Sequence, residues 1–277
     1  MSQIDLTVFE KQSNKFSAYV HAQNNDNGPI DFVDSGKIIG KEEGYKAAIP
    51  EKARAILNAS EWNESWIGSG RIAERIIKVM DIGANLVNFN GKINFGNHFD
   101  KTRKEYNPDS ERAIYKIYKD NDDKASFEYA MKVFGARYPI LAYLFFVKDD
   151  TKYLPTSPQG FDRAFKELNI DFTMTFNCGW DNYSEFNNTI RDIKALMPQY
   201  MGVSGELRLL DAHSFVWIIG EEKYMNWIDK STGINVPLAP KSVITAPDGT
   251  IKYHCANCDY LFIKAPRCPI CGQAVKE

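Results

Sequence analysis

The stretch 181-DNYSEFNNTIRDIKALM-197 decides the fold class of this 277-residue chain. Its apolar residues recur at alternating steps of three and four, the spacing of one face of an α-helix. The residues of this face are Tyr183, Phe186, Ile190, Ile193 and Met197. Asp181 is a natural cap before the helix. The pattern predicts a long amphipathic helix and favours a mainly helical body.

Helical periodicity extends to both sides of this stretch. A helix is predicted from about Ser69, and a last one from about Leu209 to Asp229, while the apolar run 138–147 fits a buried element. Residues 1–48 differ, because short apolar groups alternate there with turn formers, which predicts strands. Residues 83–100 are rich in Asn and Gly and are expected to form a loop or small hairpin.

The expected fold class is therefore α+β. It comprises a mainly α-helical body over residues 1–230, whose first 48 residues are the β-containing part. Residues 231–250 hold three prolines and little periodicity, which indicates a linker. A small C-terminal module follows over residues 251–277.

Composition limits the classes of function. A hydrophobic fraction of 44% and a net charge of −2 are typical of a globular protein that is not held on nucleic acid by bulk charge. The N-terminus lacks the apolar core of a signal peptide, and no apolar run approaches the length of a membrane span. Cysteines grouped at one end suggest a metal in a reducing compartment, so a cytoplasmic protein without membrane contact is expected.

Two Cys-x-x-Cys pairs in 254-HCANCDYLFIKAPRCPICGQ-273 carry the most specific chemistry. Cys255 pairs with Cys258, and Cys268 with Cys271. Two residues between thiolates let a tight knuckle present both sulfurs to one ion, and four thiolates complete a tetrahedral Zn²⁺ site. One structural Zn²⁺ ion is expected, with no open position for chemistry.

This tail, over about residues 251–276, resembles the zinc-ribbon family, whose fold is a few short strands pinned by two such knuckles. Between the knuckles, Tyr260 and Phe262 are candidates for stacking on bases, and Lys264 and Arg267 for phosphate contacts. The alternative is a folding module without a contact role.

The most basic short stretch of the body is 97-NHFDKTRKEY-106. Lys101, Arg103 and Lys104 are candidate phosphate contacts, and the preceding Asn-rich segment offers amides that could read bases. A solvated loop is the alternative. His98 and Asp100 in the same stretch are candidate catalytic residues.

Three further patterns in the body suggest phosphate chemistry. Arg208 and His213 have the Arg-x4-His spacing of helical HEPN-type ribonucleases, which they resemble, although Leu209 replaces the usual polar residue. Such sites use arginine on phosphate and histidine for proton transfer. A helix start in 68-GSGRIA-73 could hold a phosphate on its N–H groups. Asp211, Glu221 and Lys223 resemble the acidic-x-Lys metal site of restriction-type nucleases, but no turn former separates the strands that such a site needs.

Phrases such as "AYLFFVKDD" and "DAHSFVW" within residues 135–220 are similar to helical regions of bacterial restriction or phage-defence nucleases. The leading hypothesis is a nucleic-acid-binding protein, with DNA favoured over RNA, in such a system. The alternatives are a nuclease with scattered catalytic residues and a subunit that docks a protein partner through the ribbon.

Overall fold

A computed structural model describes residues 4–24, 28–33, 39–40, 43–231, 239–246, 248–256, 260–268 and 274–276. The chain is α+β: a mostly helical body with a small three-stranded antiparallel sheet near the C-terminus. It divides into two compact units, Met1–Gly220 and Glu221–Glu277. The boundary lies at Gly220, whereas the sequence predicts it near residue 230.

The first unit contains eleven α-helices among its described residues. They are α1 (Leu6–Asn24), α2 (Ile49–Leu57), α3 (Arg71–Ile82), α4 (Ala84–Val87), α5 (Phe89–Asn97), α6 (Ser110–Lys119), α7 (Asp123–Phe134), α8 (Tyr138–Lys148), α9 (Pro158–Glu167), α10 (Trp180–Tyr200) and α11 (Leu209–Ile219). The second unit contains α12 (Glu222–Ser231) and the strands β1 (Ser242–Thr245), β2 (Ile251–His254) and β3 (Leu261–Ile263).

Helix α10 confirms the periodicity argument. All five residues of its predicted apolar face are buried. The helix begins at Trp180, two residues earlier than expected, so Asp181 lies in the first turn, where it pairs with Lys124 across 2.9 Å. A carboxylate in the first turn still stabilises a helix through the helix dipole.

Helix α8 forms the centre of the body. Every residue from Tyr138 to Val147 except Pro139 is buried, and the helix packs against α2, α4, α5, α6 and α7. The ring of Phe145 lies 5.3–6.3 Å from four other rings, in edge-on or tilted arrangements. Such pairs stabilise beyond the area that they bury, so aromatic packing holds these helices together.

The N-terminal prediction was wrong. Residues 6–24 form helix α1, not strands, and Asp5 caps it by accepting hydrogen bonds from the backbone N–H groups of Thr7 and Val8. The buried side chains of α1 follow a three-and-four spacing. They are Phe9, Gln12, Ser13, Phe16, Tyr19 and Val20. Packing against α10 and α11 favours this helical face over the period-two pattern.

The loop predicted over residues 83–100 is also helical, because α4 and α5 occupy most of it. The Asn88 side chain caps α5 by accepting a hydrogen bond from the N–H of Gly91 at 2.7 Å. Phe95 is buried and anchors the helix against the body. Asn was interpreted as a loop former, but here it supplies the helix cap.

The single helix expected over 209–229 is two helices, α11 and α12, separated at Gly220. A Cβ atom at Gly220 would lie 2.5 Å from the carbonyl oxygen of Gly160, so only glycine allows this approach of α9. The carbonyl of Gly220 accepts a hydrogen bond from Arg163 at 3.0 Å, which fixes the break.

The sheet of the second unit has the order β1-β2-β3, with Val243 opposite Tyr253 and Tyr253 opposite Phe262. Its first strand lies inside the segment 231–250 that was expected to be a linker, and α12 ends there as well. Pro240 precedes this strand without entering it, since proline cannot donate to a strand ladder. No helix among the described residues is long and apolar enough to cross a membrane.

Candidate functional site

The first Cys-x-x-Cys pair lies in the loop that joins β2 and β3. Cys255 directly follows β2, and its backbone N–H donates to the carbonyl of Tyr260 at 2.9 Å, which closes the loop. An antiparallel bridge joins Arg267 and Ala274, which flank the second pair in sequence.

The first thiols of the two pairs share one small buried cluster. Cys255 and Cys268 pack there with Tyr253 and Phe262. Cys258 and Cys271 lie outside the described residues, and the described ones contain no group of three potential metal ligands. A set of four thiolates suits Zn²⁺, and burial of the two described thiols is consistent with a shared ion.

The proposed contact set of the ribbon needs one correction. Phe262 is 6% exposed and belongs to the cluster, so it is not available to stack on a base. Strand residues alternate between faces, and its neighbours Leu261 and Ile263 are the exposed ones. Tyr260 is exposed, and so are Lys264, whose Nζ lies 5.9 Å from the Tyr253 ring centroid, and Arg267.

The basic stretch of the body lies on the surface between α5 and α6. Lys101, Arg103 and Lys104 are all exposed. Asp100 accepts hydrogen bonds from the backbone and hydroxyl of Thr102, which hold its pKa below the usual value. Asp100 therefore shapes the turn of this stretch.

His98 is held against the ring of Phe134, edge-on, with 5.4 Å between ring centroids. Burial lowers its pKa, and the positive charge of Arg137 lowers it further, so the ring is neutral at pH 7. Its Nδ1 atom is buried and has no hydrogen-bond partner among the described residues.

The start of α3 is already occupied by a carboxylate. Glu111 accepts hydrogen bonds from the backbone N–H groups of Gly70 and Ala73, at 3.1 and 2.9 Å. Glu111 is itself buried, and it takes the place that a bound phosphate would need. The phosphate role suggested for residues 68–73 is therefore not supported.

Arg208 and His213 serve separate structural purposes. The Arg208 guanidinium bonds to Asp211 at 2.6 Å, within a capping box at the start of α11. His213 is buried, and its Nε2 lies 2.9 Å from the carbonyl of Pro155. Burial, then the charge of Lys46, lowers its pKa well below the usual value. A neutral histidine enclosed in this way cannot meet a substrate on the surface.

The structure also does not bring Asp211, Glu221 and Lys223 together in the arrangement that an acidic-x-Lys metal site needs. The Asp211 carboxylate is engaged by Arg208, and it is nearly fully buried. Glu221 and Lys223 lie at the start of helix α12, whereas a metal site of this type needs them on a strand.

A cleft of about 710 Å³ lies where three helices of the first unit begin. The first residues of α5, α8 and α9 line it or adjoin its lining, and each of these ends carries a partial positive charge. Its volume is within the usual range for a small-molecule site. Arg137 is the one charged residue among the described residues that line it.

Three amide side chains of the cleft have no partner within the described part of the protein. Asn90 and Asn94 extend from α5, and Gln159 from the first turn of α9. Each amide offers both hydrogen-bond donors and an acceptor. Beside them, the Arg137 guanidinium is exposed and makes no ion pair with any described residue. Asn90 and Gln159 are exposed and Asn94 is half-buried, so the cleft presents hydrated amides that a ligand can reach, beside one positive charge.

An exposed aromatic ring completes the cleft. Phe176 lies in the segment between α9 and α10, and its side chain is entirely exposed. Its φ angle of 65° is in the left-handed region, which is unfavourable for a bulky residue. Strain of this kind persists only where the surrounding structure enforces it.

The segment that carries Phe176 is fastened from neighbouring helices. Asp162 of α9 accepts hydrogen bonds from the backbone N–H groups of Met174 and Thr175, at 2.7 and 3.0 Å. Asn182 of α10 donates to the carbonyl of Thr173 at 3.0 Å. These bonds explain how the strained conformation is kept.

No protein-family model, no curated protein and no solved structure matched this chain. Its site is therefore argued from the chain's own geometry.

Sequence reasoning identified one part of the cleft and missed the rest. The Asn-rich segment was noted as a source of base-reading amides, and Asn90 and Asn94 do line the cleft. Arg137, Gln159 and Phe176 were missed, because each comes from a different segment and none forms a motif with its sequence neighbours. The fragment "TFNCG" at 175–179, an aromatic residue within a polar turn, was the available signal.

Proposed function

We propose that this protein binds nucleic acid through the cleft at the start of α5, α8 and α9. The observation that carries the proposal is the composition of the cleft: partnerless amides, an exposed ring and an arginine, with no acidic group among its described lining residues. Amides suit base edges, aromatic rings suit base faces, and arginine suits phosphate.

The basic stretch that follows α5 extends this surface. Lys101, Arg103 and Lys104 follow α5, the helix whose Asn90 and Asn94 line the cleft, within a few residues of its end. In this proposal these three exposed cations add phosphate contacts to that of Arg137. Electrostatic contacts of this kind dominate nucleic-acid affinity even when a protein's net charge is close to zero.

The second unit contributes a structural metal in this proposal. One Zn²⁺ ion is held by Cys255, Cys258, Cys268 and Cys271, and it folds the unit without taking part in chemistry. Tyr260, Lys264 and Arg267 remain proposed contacts of the ribbon, and their exposure supports that role.

The wider setting follows the same proposal. We expect a cytoplasmic protein of a bacterial restriction or phage-defence system that prefers DNA to RNA. The nuclease hypothesis, with Asp100 and His98 as its remaining accessible candidates, and the partner-docking hypothesis stay predictions.

The proposal is tested by fluorescence anisotropy with labelled DNA and RNA oligonucleotides of about 20 residues, at about 50 and 200 mM salt. Binding should weaken steeply with salt. Arg137→Ala should weaken binding and lower the salt slope by about one, because one phosphate contact is lost. Lys11→Ala removes an exposed charge from α1, outside the cleft, and should leave both unchanged. Absence of salt-sensitive binding to every oligonucleotide would refute the proposal.

A further inference from the structure

We infer that the cleft accepts an unpaired base, so that the ligand is single-stranded nucleic acid or a duplex with an extruded nucleotide. This inference rests on the proposed function and adds the class of ligand. The base stacks on Phe176, its edge meets the amides of Asn90, Asn94 and Gln159, and its phosphate lies near Arg137.

The concave shape of the site is the first argument. Proteins read a duplex by inserting a helix or a β-ribbon into a groove, which requires a protruding element. A cleft of about 710 Å³ instead encloses a group the size of a nucleotide. A paired base inside a stacked duplex cannot enter such a space.

The free amides are the second argument. Asn90, Asn94 and Gln159 make no hydrogen bond with other described residues, and all three line the same cleft. The Watson–Crick edge of a base carries donors and acceptors that match amides, but pairing occupies this edge in a duplex. Asn88 differs, since its oxygen already caps α5, and only its NH₂ group remains for a ligand.

The presentation of Phe176 is the third argument. A fully exposed ring has no packing partner that would explain its strained backbone, yet hydrogen bonds from α9 and α10 hold its segment in place. A ring fixed in this way loses little freedom when a flat ligand stacks on it. Base stacking is tolerant of sequence, so the cleft should discriminate strandedness more than sequence.

The test is a competition experiment on the full chain. A labelled single strand is displaced by the same strand unlabelled, by its matched duplex, and by a duplex with one unpaired nucleotide. We expect the single strand to compete at least about 10-fold better than the matched duplex, with the bulged duplex between them.

Variants at Phe176 separate stacking from bulk. Phe176→Ala should weaken single-strand binding by about 5- to 100-fold, the loss typical of one base–aromatic stack. Phe176→Trp should retain binding, whereas Phe176→Leu keeps an apolar side chain and should lose it. Leu6→Ala removes an exposed apolar side chain from α1 and serves as the matched control.

The outcomes distinguish the inference from the proposed function. Equal competition by single strand and matched duplex, or wild-type binding by Phe176→Ala while Arg137→Ala is weakened, would overturn the inference and leave nucleic-acid binding intact. No binding to any oligonucleotide would overturn both. Thermal unfolding of each variant, monitored by circular dichroism, verifies that the exposed substitutions leave the fold unchanged.

Discussion

The helical unit Met1–Gly220 encloses whole aromatic side chains, whereas the unit Glu221–Glu277 has a described core cluster of four residues. In the first unit, apolar burial is enough to hold the helices, as the rings around Phe145 illustrate. The second unit is small enough that its apolar core alone contributes little stability, and two of its four cluster residues are thiols. The comparison teaches that packing stabilises the first unit, whereas the proposed metal site would have to stabilise the second.

The largest expected effect concerns the metal. Replacing both Cys255 and Cys268 by serine should abolish binding of one Zn²⁺ per chain, because two of four ligands are lost. Metal binding contributes about 10–16 kcal/mol in small zinc domains, far more than such a cluster can supply by burial. Elemental analysis gives the stoichiometry, and hydrogen exchange reports protection of β2 and β3.

A matched control is Cys178→Ser, which removes the cysteine of the body. It should leave both zinc content and strand protection unchanged. Protected amides in β2 and β3 of the double variant would contradict the metal-dependent account of this unit.

The second effect concerns packing in the body. Phe145→Ala should lower the free energy of unfolding of the first unit by about 3–5 kcal/mol, because it leaves a cavity among surrounding rings. Denaturant unfolding followed by circular dichroism measures the loss. Leu6→Ala, at an exposed position, should stay within about 0.5 kcal/mol of wild type. If Phe145→Ala also lowered the zinc content, the stability of the second unit would depend on packing in the first, contrary to this prediction.

The third effect is a pH dependence confined to the body. The pKa of His213 is lowered in the folded state, so the unfolded chain takes up a proton that the folded chain refuses. Stability is therefore complete above the unfolded pKa of about 6.5 and decreases as the pH falls below it. One such group contributes at most about 1.4 kcal/mol per pH unit.

Unfolding measured at about pH 7.5 and about pH 5.5 checks the sign. His213→Gln should reduce the difference between the two pH values, even if the variant is less stable at both. His98→Gln should reduce it less, because His98 is only partly buried. Greater stability at the lower pH would contradict a neutral buried His213.

The smallest effect on stability is expected at the cleft. Phe176→Gly relieves a left-handed conformation but increases the freedom of the unfolded chain, so stability should change by no more than about 1 kcal/mol. The same change should remove binding of single strands. A large loss of stability would mean that Phe176 holds the fold, and would separate the cleft from a binding role.

The sequence predicted what depends on local spacing. The three-and-four pattern of α10 and the apolar face of α3 are repeated in the structure, because one helix face must be buried wherever the helix lies. Prediction failed at α1, whose residues also permitted strands until packing against α10 and α11 favoured the helix. The prediction that Phe262 stacks on a base was wrong, because side chains alternate between the two faces of β3 and that of Phe262 points to the buried face.

By itself, the sequence determined a helical body, since helix periodicity acts over a few residues, and it predicted a metal site at its two Cys-x-x-Cys pairs. Only the tertiary structure decided the cleft, in which α5, Arg137, the start of α9 and Phe176 meet although about 90 residues separate its ends in sequence. It also decided that His213 is enclosed and that Glu111 occupies the start of α3. Which segments meet at the cleft, and which side chains are buried, depends on how the helices pack, and no short stretch of sequence specifies that packing.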